Sequence, residues 1–387
     1  MKYKRIFLII LDSLGIGGAV DAKDYDDEGA NTLGNTLKET NVSLPNLEKM
    51  GLLNLINLST VKTNSYYARA HELSNGKDTL TGHLEIMGIK TSNPAVTFTE
   101  TGFPAELISE LESLTNRKVI GNISSSGTEI IKELGEEHIK TGAIIVYTSA
   151  DSVLQIAAHE EVVPLDELYE ICSIARKITL KDEWKVGRII GRPFIGTNGN
   201  FIRTSNRKDY ALNPPQMTVL DKLKKHNYDV ISIGKINDIF NGCGITQSIK
   251  TTDNLDGITK IITTIKTDFK GLCFANLNDF DSKYGHRRNP VGYADLIKEF
   301  DDYIPQILTS LNNDDLLIIT ADHGNDPTYK GTDHTRENVP VLIYSKKIKE
   351  PKQLEDFETF ADIGATITSN FNLEKLEIGT SFLEKII

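Results

Sequence analysis

Two aspartate–histidine pairs lie close together near the C-terminal end of the chain. Asp322 and His323 follow an apolar run, residues 316–319, whose length and β-branching are typical of a buried strand. Asp333 and His334 come about ten residues later. Carboxylates and imidazoles grouped at the end of a strand are ligands that proteins use for hard or borderline divalent cations. The alternative is a polar loop with two surface histidines, and this segment alone does not exclude it.

Other predicted strands also end at acidic residues. The strand predicted over residues 5–11 ends at Asp12, and residues 272–277 are followed by Asp279 and Asp281 and then by His286. Ligands in open α/β sheets bind outside the carboxyl ends of the strands, so these side chains are candidate metal ligands. For Asp12, the alternative is an ordinary helix N-cap or turn residue.

A threonine near a predicted helix start is a candidate nucleophile. The helix can begin at Asp78, Thr79 or Thr81. A hydroxyl there lies where backbone N–H groups and the helix dipole favour a phosphate, and a bound metal can hold it as the alkoxide. The alternative is that Thr79 only caps the helix. Lys77 and His83 either support the phosphate or face solvent.

Taken together, the acidic and histidine side chains supply enough ligands for two metal ions. The six candidates are Asp12, Asp281, His286, Asp322, His323 and His334. Three aspartates and three histidines suit Mn²⁺ or Zn²⁺, and the carboxylates leave Mg²⁺ open. Two metals about 3.5–4 Å apart can clamp both oxygens of an in-line phosphoryl displacement.

The middle of the chain carries arginines at regular spacing. Arg188 and Arg192 share one face of a predicted strand over residues 186–194, since their spacing is even. Arg203 and Arg207 are also four residues apart. The guanidinium fork suits phosphate oxygens, and we interpret Arg188 and Arg203, together with Arg207, as phosphate contacts. Ordinary surface ion pairing is the alternative.

Length and composition limit the class of protein. The chain has 387 residues, a length that predicts two domains. Its net charge of −11 argues against a nucleic-acid surface, so an anionic substrate needs local metals or arginines. Three widely spaced cysteines fit a reducing compartment, and the short N-terminal apolar stretch has no signal-peptide cleavage site. We expect a cytoplasmic protein with neither nucleic-acid nor membrane partners.

These motifs resemble the phosphopentomutase family of the alkaline phosphatase superfamily, along nearly the whole chain. The matching segments are residues 11–17, 76–83, 147–161, 285–288, 320–327 and 331–337. The Asp-His-Gly and Asp-His-Thr segments occur across the superfamily, whereas the long middle motif is specific to the mutase. The resemblance implies an α/β fold with two parts. One is an alkaline-phosphatase-like core with a central, mostly parallel sheet sandwiched by helices, and the other is an inserted α/β cap domain. The core would span residues 1–95 and 216–387, and the cap residues 96–215.

The resemblance also implies roles for individual residues. One of two Mn²⁺ ions would be held by Asp12, Asp322 and His323. The other would be held by Asp281, His286 and His334. Thr79 would be the phosphorylated nucleophile, and Asp333 would orient a neighbour such as a ligating histidine. Substrate contacts would come from Asp151, Arg188, Arg203 and Lys235.

The implied activity is that of an isomerase in nucleoside catabolism. It would interconvert the 1- and 5-phosphates of ribose or 2-deoxyribose through a phosphothreonine enzyme and a pentose 1,5-bisphosphate. A sugar bisphosphate such as glucose 1,6-bisphosphate would activate it. Two alternatives stay open: a metal-dependent phosphomonoesterase or phosphodiesterase of the same superfamily, and a non-catalytic phosphosugar-binding module. The sequence indicates neither the preferred pentose nor the oligomeric state, and a monomer is consistent with it.

Overall fold

The computed structural model describes residues 1–149, 152–197 and 199–387. The chain divides into two units, one of Met1–Ser92 and Asn213–Ile387 and the other of Asn93–Leu212. The strands in the described residues are β1 (Arg5–Leu11), β2 (Tyr66–Ala70), β3 (Val119–Ser124), β4 (Ile144–Thr148), β5 (Val153–His159), β6 (Arg188–Thr197), β7 (Asn200–Arg203), β8 (Lys208–Ala211), β9 (Asp229–Ile233), β10 (Gln247–Ile249), β11 (Gly271–Leu277), β12 (Asp315–Thr320) and β13 (Val339–Tyr344). The helices are α1 (Thr32–Thr40), α2 (Pro45–Lys49), α3 (Leu52–Leu55), α4 (Thr79–Ile86), α5 (Ala105–Thr115), α6 (Gly127–Thr141), α7 (Leu165–Ile178), α8 (Val219–Lys225), α9 (Ile236–Ile239), α10 (Asn254–Ile265), α11 (Pro290–Ser310) and α12 (Ala361–Asn370).

The first unit is built on a seven-stranded sheet in the order β10-β9-β11-β1-β12-β13-β2. The strands from β10 to β12 are parallel, and β13 runs antiparallel to both of its neighbours. Helices α1, α2, α10 and α11 pack in one group, and α4, α8, α9 and α12 in another. This covering explains why every residue of β1, β11 and β12 is buried.

The register of the three central strands determines where their acidic residues emerge. Arg5 of β1 lies opposite Gly271 of β11 and Asp315 of β12, so the strands start level with one another. Parallel strands that start together also end together. The residues that follow β1, β11 and β12 therefore meet at one edge of the sheet, which is where ligands bind in open α/β sheets.

The second unit has its own sheet and core. Its strand order is β3-β4-β5-β6-β7, with β8 also paired to β6, and parallel and antiparallel pairings alternate along it. Helices α5 and α7 contribute to one apolar cluster, which includes Leu107, Leu111 and Ile171. Helix α6 contributes Ile130 and Ile131 to a smaller cluster.

The predicted α/β class with a mostly parallel central sheet is confirmed, although several details differ. Strands β2 and β13 were not predicted from the sequence. All three cysteines are free, and two of them are buried. Within the described residues, no helix combines the length and apolar character required to cross a bilayer.

A buried ion pair joins the first residues of β1 and β12. Arg5 donates hydrogen bonds from Nε and Nη2 to the two carboxylate oxygens of Asp315, at 2.8 and 2.6 Å, and from Nη1 to the carbonyl of Ile265. Replacing Arg5 by Met should lower the free energy of unfolding by about 3–5 kcal/mol, because Asp315 is left charged and buried without its partner. Urea denaturation measures this loss.

The matched control is the double variant Arg5→Met/Asp315→Asn, which removes the uncompensated charge as well. It should be less destabilised than Arg5→Met alone. A single variant within about 1 kcal/mol of the wild type would show that the pair does not fix the strand register.

Candidate metal centre and nucleophile

The first group of possible metal ligands lies at the ends of β1 and β12. Asp12 follows β1, and Asp322 and His323 follow β12. The Nε2 atom of His323 lies 3.4 Å from Asp12 Oδ1 and 3.4 Å from Asp322 Oδ2, and all three side chains are fully buried. These residues form a cluster that could hold one metal ion.

The proton positions in this cluster suit a cation. His323 Nδ1 lies 3.0 Å from the carbonyl oxygen of Gly324, which assigns the proton to Nδ1 and directs the Nε2 lone pair toward the carboxylates. Burial disfavours ionisation of Asp322, but His323 and His83 outweigh it and lower the pKa of Asp322 to about 2. Burial likewise lowers the pKa of His323, whereas Asp322 and Asp12 raise it well above its ordinary value.

Two buried carboxylate oxygens of this cluster indicate whether a metal ion fits here. Within the described residues, Asp12 Oδ1 and Asp322 Oδ2 are buried and accept no hydrogen bond of good geometry, although ring nitrogens of His83 and His323 lie 3.1–3.4 Å from them. A buried carboxylate oxygen is costly without a well-placed partner, and a divalent cation supplies this interaction. The donor set therefore fits a metal ion.

The second group lies beside the carboxyl end of β11. Asp281 belongs to a π-helical turn, Phe280–Gly285, and His286 follows it directly. His334 comes from the loop before β13. The Nε2 atoms of His286 and His334 lie 3.2 and 3.4 Å from the two oxygens of Asp281. These residues form the second cluster that could hold a metal.

The two histidines of the second cluster also indicate a cation. Their Nε2 atoms are 3.1 Å apart. Because His286 Nδ1 lies 2.7 Å from the carbonyl of Thr332, we assign its proton there, and its Nε2 presents a lone pair. Burial disfavours ionisation of Asp281, yet His334 and His286 hold its pKa well below the ordinary value. A cation held by Asp281, His286 and His334 would contact all three side chains.

The candidate nucleophile adjoins both clusters. Thr79 Oγ1 lies 3.1 Å from His323 Nε2, and the rings of His323 and His334 have centroids 4.1 Å apart. Thr79 is the first residue of α4, and Asp78 is the N-cap, accepting from the backbone N–H groups of residues 80 and 81. The capping alternative for Thr79 is therefore wrong, and its hydroxyl is oriented toward the site.

Buried polar groups contact the carboxylates of the first cluster. Asn276 of β11 donates from Nδ2 to Asp12 Oδ2 at 3.0 Å, and the backbone N–H of Ser13 donates to Asp322 at 3.0 Å. His83 is fully buried, with Nδ1 2.8 Å from the carbonyl of Thr79 and 3.1 Å from Asp322 Oδ2. His83 therefore neither faces solvent nor lies free to bind phosphate, contrary to both sequence alternatives.

Polar side chains also contact the residues of the second cluster. Asn325 donates from Nδ2 to Asp281 Oδ1 at 2.7 Å, and Arg288 donates to Asn325 Oδ1 at 2.5 Å. Asp333 was expected to orient a neighbour such as a ligating histidine, and its carboxylate accepts a hydrogen bond from the backbone N–H of His334 at 2.8 Å and contacts the Lys77 ammonium at 3.3 Å. The group that orients the His286 ring is the Thr332 carbonyl.

Glu337 connects the loops around the site and was not singled out from the sequence. Its carboxylate accepts hydrogen bonds from the backbone N–H groups of Gly17 and Thr32, at 2.9 Å each. It also accepts from the hydroxyls of Thr32 and Thr335, at 2.6 Å each. A Cβ at Gly324 would lie 2.5 Å from Glu337 Oε1, so the metal loop can approach this carboxylate only with glycine there.

The predicted substrate contacts lie in both units. Lys235 follows β9 and lines a cavity of about 300 Å³ in the first unit. Arg188 starts β6 and lies 3.3 Å from Asp209, and Arg203 ends β7 in the second unit. Arg207 forms two hydrogen bonds with the Asp209 carboxylate, which is the ion pairing that was the alternative to phosphate contact. Asp151 lies outside the described residues.

The buried position of Glu337 predicts a pH-dependent stability. Burial raises its pKa from 4.5 to about 7, although its hydrogen bonds oppose the shift. The folded protein thus keeps a proton that the unfolded chain releases at lower pH. The resulting stabilisation is complete below about pH 4.5 and is lost as the pH rises through about 7. The size of this stabilisation is on the order of 3 kcal/mol.

Glu337→Gln, which cannot titrate, should remove this fall in the free energy of unfolding. Urea denaturation between about pH 5 and pH 8, with a chelator present, compares wild type and variant. The exposed Glu39 provides the control variant Glu39→Gln, which should keep the wild-type profile. Parallel profiles for wild type and Glu337→Gln would contradict the assignment.

Comparison with known proteins gives the family. A family model described as the metalloenzyme superfamily matches residues 4–375. A phosphoglycerate mutase from Leishmania mexicana, studied at low cobalt concentration, is 11% identical, with coverage of 98% of this chain and 97% of that one and a TM-score of 0.50. A Pyrococcus horikoshii protein is 14% identical, with coverage of 98% and 100% and a TM-score of 0.49. An alkaline phosphatase superfamily protein from Vibrio parahaemolyticus is 16% identical, with coverage of 100% and 71% and a TM-score of 0.46. Since the family model spans most of the chain, this protein belongs to the metalloenzyme superfamily, and its core has the alkaline-phosphatase-like fold.

Proposed function

We propose that this protein is a phosphopentomutase, which interconverts the 1- and 5-phosphates of ribose or 2-deoxyribose. The observation that carries the proposal is the position of Thr79. Its hydroxyl lies 3.1 Å from His323 Nε2, at the start of a helix and beside two clusters that could each hold a metal. A hydroxyl in such a place is suited to accept and donate a phosphoryl group.

The proposed cycle consists of two phosphoryl transfers. In the first, the bond between phosphorus and Thr79 Oγ1 breaks, the free hydroxyl of the pentose phosphate takes the phosphoryl group, and its proton passes to Thr79 Oγ1. The product is a pentose 1,5-bisphosphate. In the second, the bond between the other phosphorus and its sugar oxygen breaks, Thr79 Oγ1 takes that phosphoryl group and gives up its proton to the sugar oxygen, which leaves the isomeric monophosphate and restores the phosphothreonine.

Each group around Thr79 has a part in this cycle. The first-turn amides of α4 and its dipole favour the transferring phosphate. His323 Nε2 lies 3.1 Å from Thr79 Oγ1, and with Asp12 and Asp322 it would hold the metal ion that activates this hydroxyl. Divalent cations, in our proposal Mn²⁺, would be held by the two clusters and would stabilise the charge of the transferring phosphoryl group.

The remaining substrate contacts are part of the proposal. Arg188, Arg203 and Lys235, with Asp151, would hold the phosphosugar. The second unit would act as the inserted cap that excludes water, which is the usual role of a lid over a reactive phosphoryl donor. A sugar bisphosphate such as glucose 1,6-bisphosphate would phosphorylate Thr79 at the start. The three free cysteines fit the cytoplasm as the location.

The fold supports a mutase. The Leishmania mexicana structure that shares the fold is named as a phosphoglycerate mutase. The same site would also serve a metal-dependent phosphomonoesterase if water replaced the sugar hydroxyl as the acceptor. The proposal therefore depends on the fate of the phosphoryl group on Thr79.

Treatment with glucose 1,6-bisphosphate should place a phosphate on Thr79. Tryptic mass spectrometry locates the phosphate, and a coupled assay with Mn²⁺ follows the interconversion of ribose 1- and 5-phosphate. Thr79→Ala should reduce the interconversion at least about a thousandfold, because the variant lacks the proposed phosphoryl carrier. Thr79→Ser, which keeps a hydroxyl, is the control and should retain measurable activity.

Two outcomes would contradict the proposal. One is interconversion that persists without phosphate on Thr79. The other is release of inorganic phosphate from ribose 5-phosphate faster than isomerisation, which would assign a phosphomonoesterase instead.

A further inference from the structure

The start of α6 in the second unit is in contact with polar side chains from the sheet. Ser126 caps the helix, and its side chain accepts from the backbone N–H of Glu129. The earlier first-turn amides have no partner within the helix. A Cβ at Gly127 would lie 2.5 Å from Tyr147 Oη and 3.1 Å from Arg203 Nη1. Glycine at this position is therefore what allows both groups to reach the start of the helix.

The Tyr147 hydroxyl is buried without a well-formed hydrogen bond. The side chain is fully buried on β4, and within the described residues its oxygen makes no hydrogen bond of good geometry. Burial raises the pKa of Tyr147, although Arg192 lies close enough to lower it. A buried hydroxyl without a partner is unfavourable, and native structures rarely keep one without a reason such as an absent ligand. Tyr147 is thus a second, independent indication that something binds at the start of α6.

Guanidinium groups gather around the same point. Arg192 on β6 is half-buried and donates from Nε to Gln155 Oε1 at 2.9 Å. Burial lowers the pKa of Arg192, and the guanidinium groups of Arg207 and Arg203 lower it further, whereas Tyr147 and Asp209 oppose the shift. Since Arg207 is paired with Asp209, the guanidinium groups of Arg192 and Arg203 are the positive charges that suit an anion in this acidic chain.

We propose that the start of α6 binds the phosphate group of a phosphomonoester, held by the first-turn amides together with Tyr147, Arg192 and Arg203. Amides at a helix start and arginine forks both favour phosphate oxygens, and Tyr147 can donate its hydroxyl proton to one of them. Arg203 was expected from the sequence to contact phosphate, whereas Tyr147 and Arg192 are new. That the ligand is a phosphosugar rests on the proposed function.

Isothermal titration calorimetry of the full chain tests the site. Chelator-treated protein removes any contribution of metal-held phosphate, and inorganic phosphate and ribose 5-phosphate are the two probes. Arg192→Gln should weaken the binding of both by about tenfold, and Tyr147→Phe by a smaller factor, because each loses a hydrogen bond to a charged group. Arg117 donates to the carbonyl of Gly142 at the opposite end of α6, so Arg117→Gln is the charge-matched control and should bind as the wild type does.

A second readout separates binding from a structural role for Tyr147. Among the described residues, no hydrogen bond of good geometry reaches the Tyr147 hydroxyl, so Tyr147→Phe should leave the thermal unfolding temperature of the unliganded protein unchanged or raised. A lowered temperature with unchanged phosphate affinity would overturn the role of Tyr147.

The two probes also identify the ligand. Tighter binding of ribose 5-phosphate than of inorganic phosphate supports a site for the phosphosugar, and equal binding supports a site for the phosphate group alone. Equal affinities of wild type and Arg192→Gln, or no binding by the chelated wild type, would overturn the site even if the enzyme is an active mutase. Binding that depends on Arg192 in a protein without mutase activity would leave the site standing and reject the proposed function.

Discussion

The burial of ionised aspartates at the ends of neighbouring parallel strands is the constraint on which the site depends. Asp12 and Asp322 each keep an oxygen without a hydrogen bond in the described residues, although both side chains are fully buried. Desolvated charges of the same sign are costly unless a cation compensates for them. The level register of β11, β1 and β12, which the Arg5–Asp315 pair helps to hold, brings these groups together. The alignment of these three strands therefore creates the candidate cation site.

The surrounding polar groups hold the ligands in place. Carbonyl oxygens of Gly324 and Thr332 orient the rings of His323 and His286, and Asn325 orients Asp281. Glu337 joins the loop after β1, the start of α1 and the loop that carries His334. Such partners fix both the tautomer and the direction of a metal ligand. His83 lies on the same helix as Thr79 and contacts Asp322, so these polar groups also help to position Thr79.

Strands that follow from a local pattern of apolar residues could be predicted from the sequence. Apolar runs predicted β1, β11 and β12, and the acidic residues that follow them are the ones that the structure brings together. The supporting residues could not be predicted in the same way, because Glu337 and Asn276 derive their importance from partners far away in the chain. Asp333 was predicted to orient a neighbour and does contact the backbone N–H of His334, but its ion pair with Lys77, which lies much earlier in the chain, could not be predicted from the local pattern. Strand β13 was not predicted, although it is almost entirely buried, because it follows a loop of polar residues.

The number of metal ions bound per chain tests the central claim most directly. Equilibrium dialysis against Mn²⁺, followed by metal analysis, should give two ions per chain for the wild type. It should give about one for His323→Ala and about one for His286→Ala, because each variant removes a ligand from one cluster only. Fewer than two ions on the folded wild type, or two ions on both variants, would contradict the account of two clusters that each hold a divalent cation.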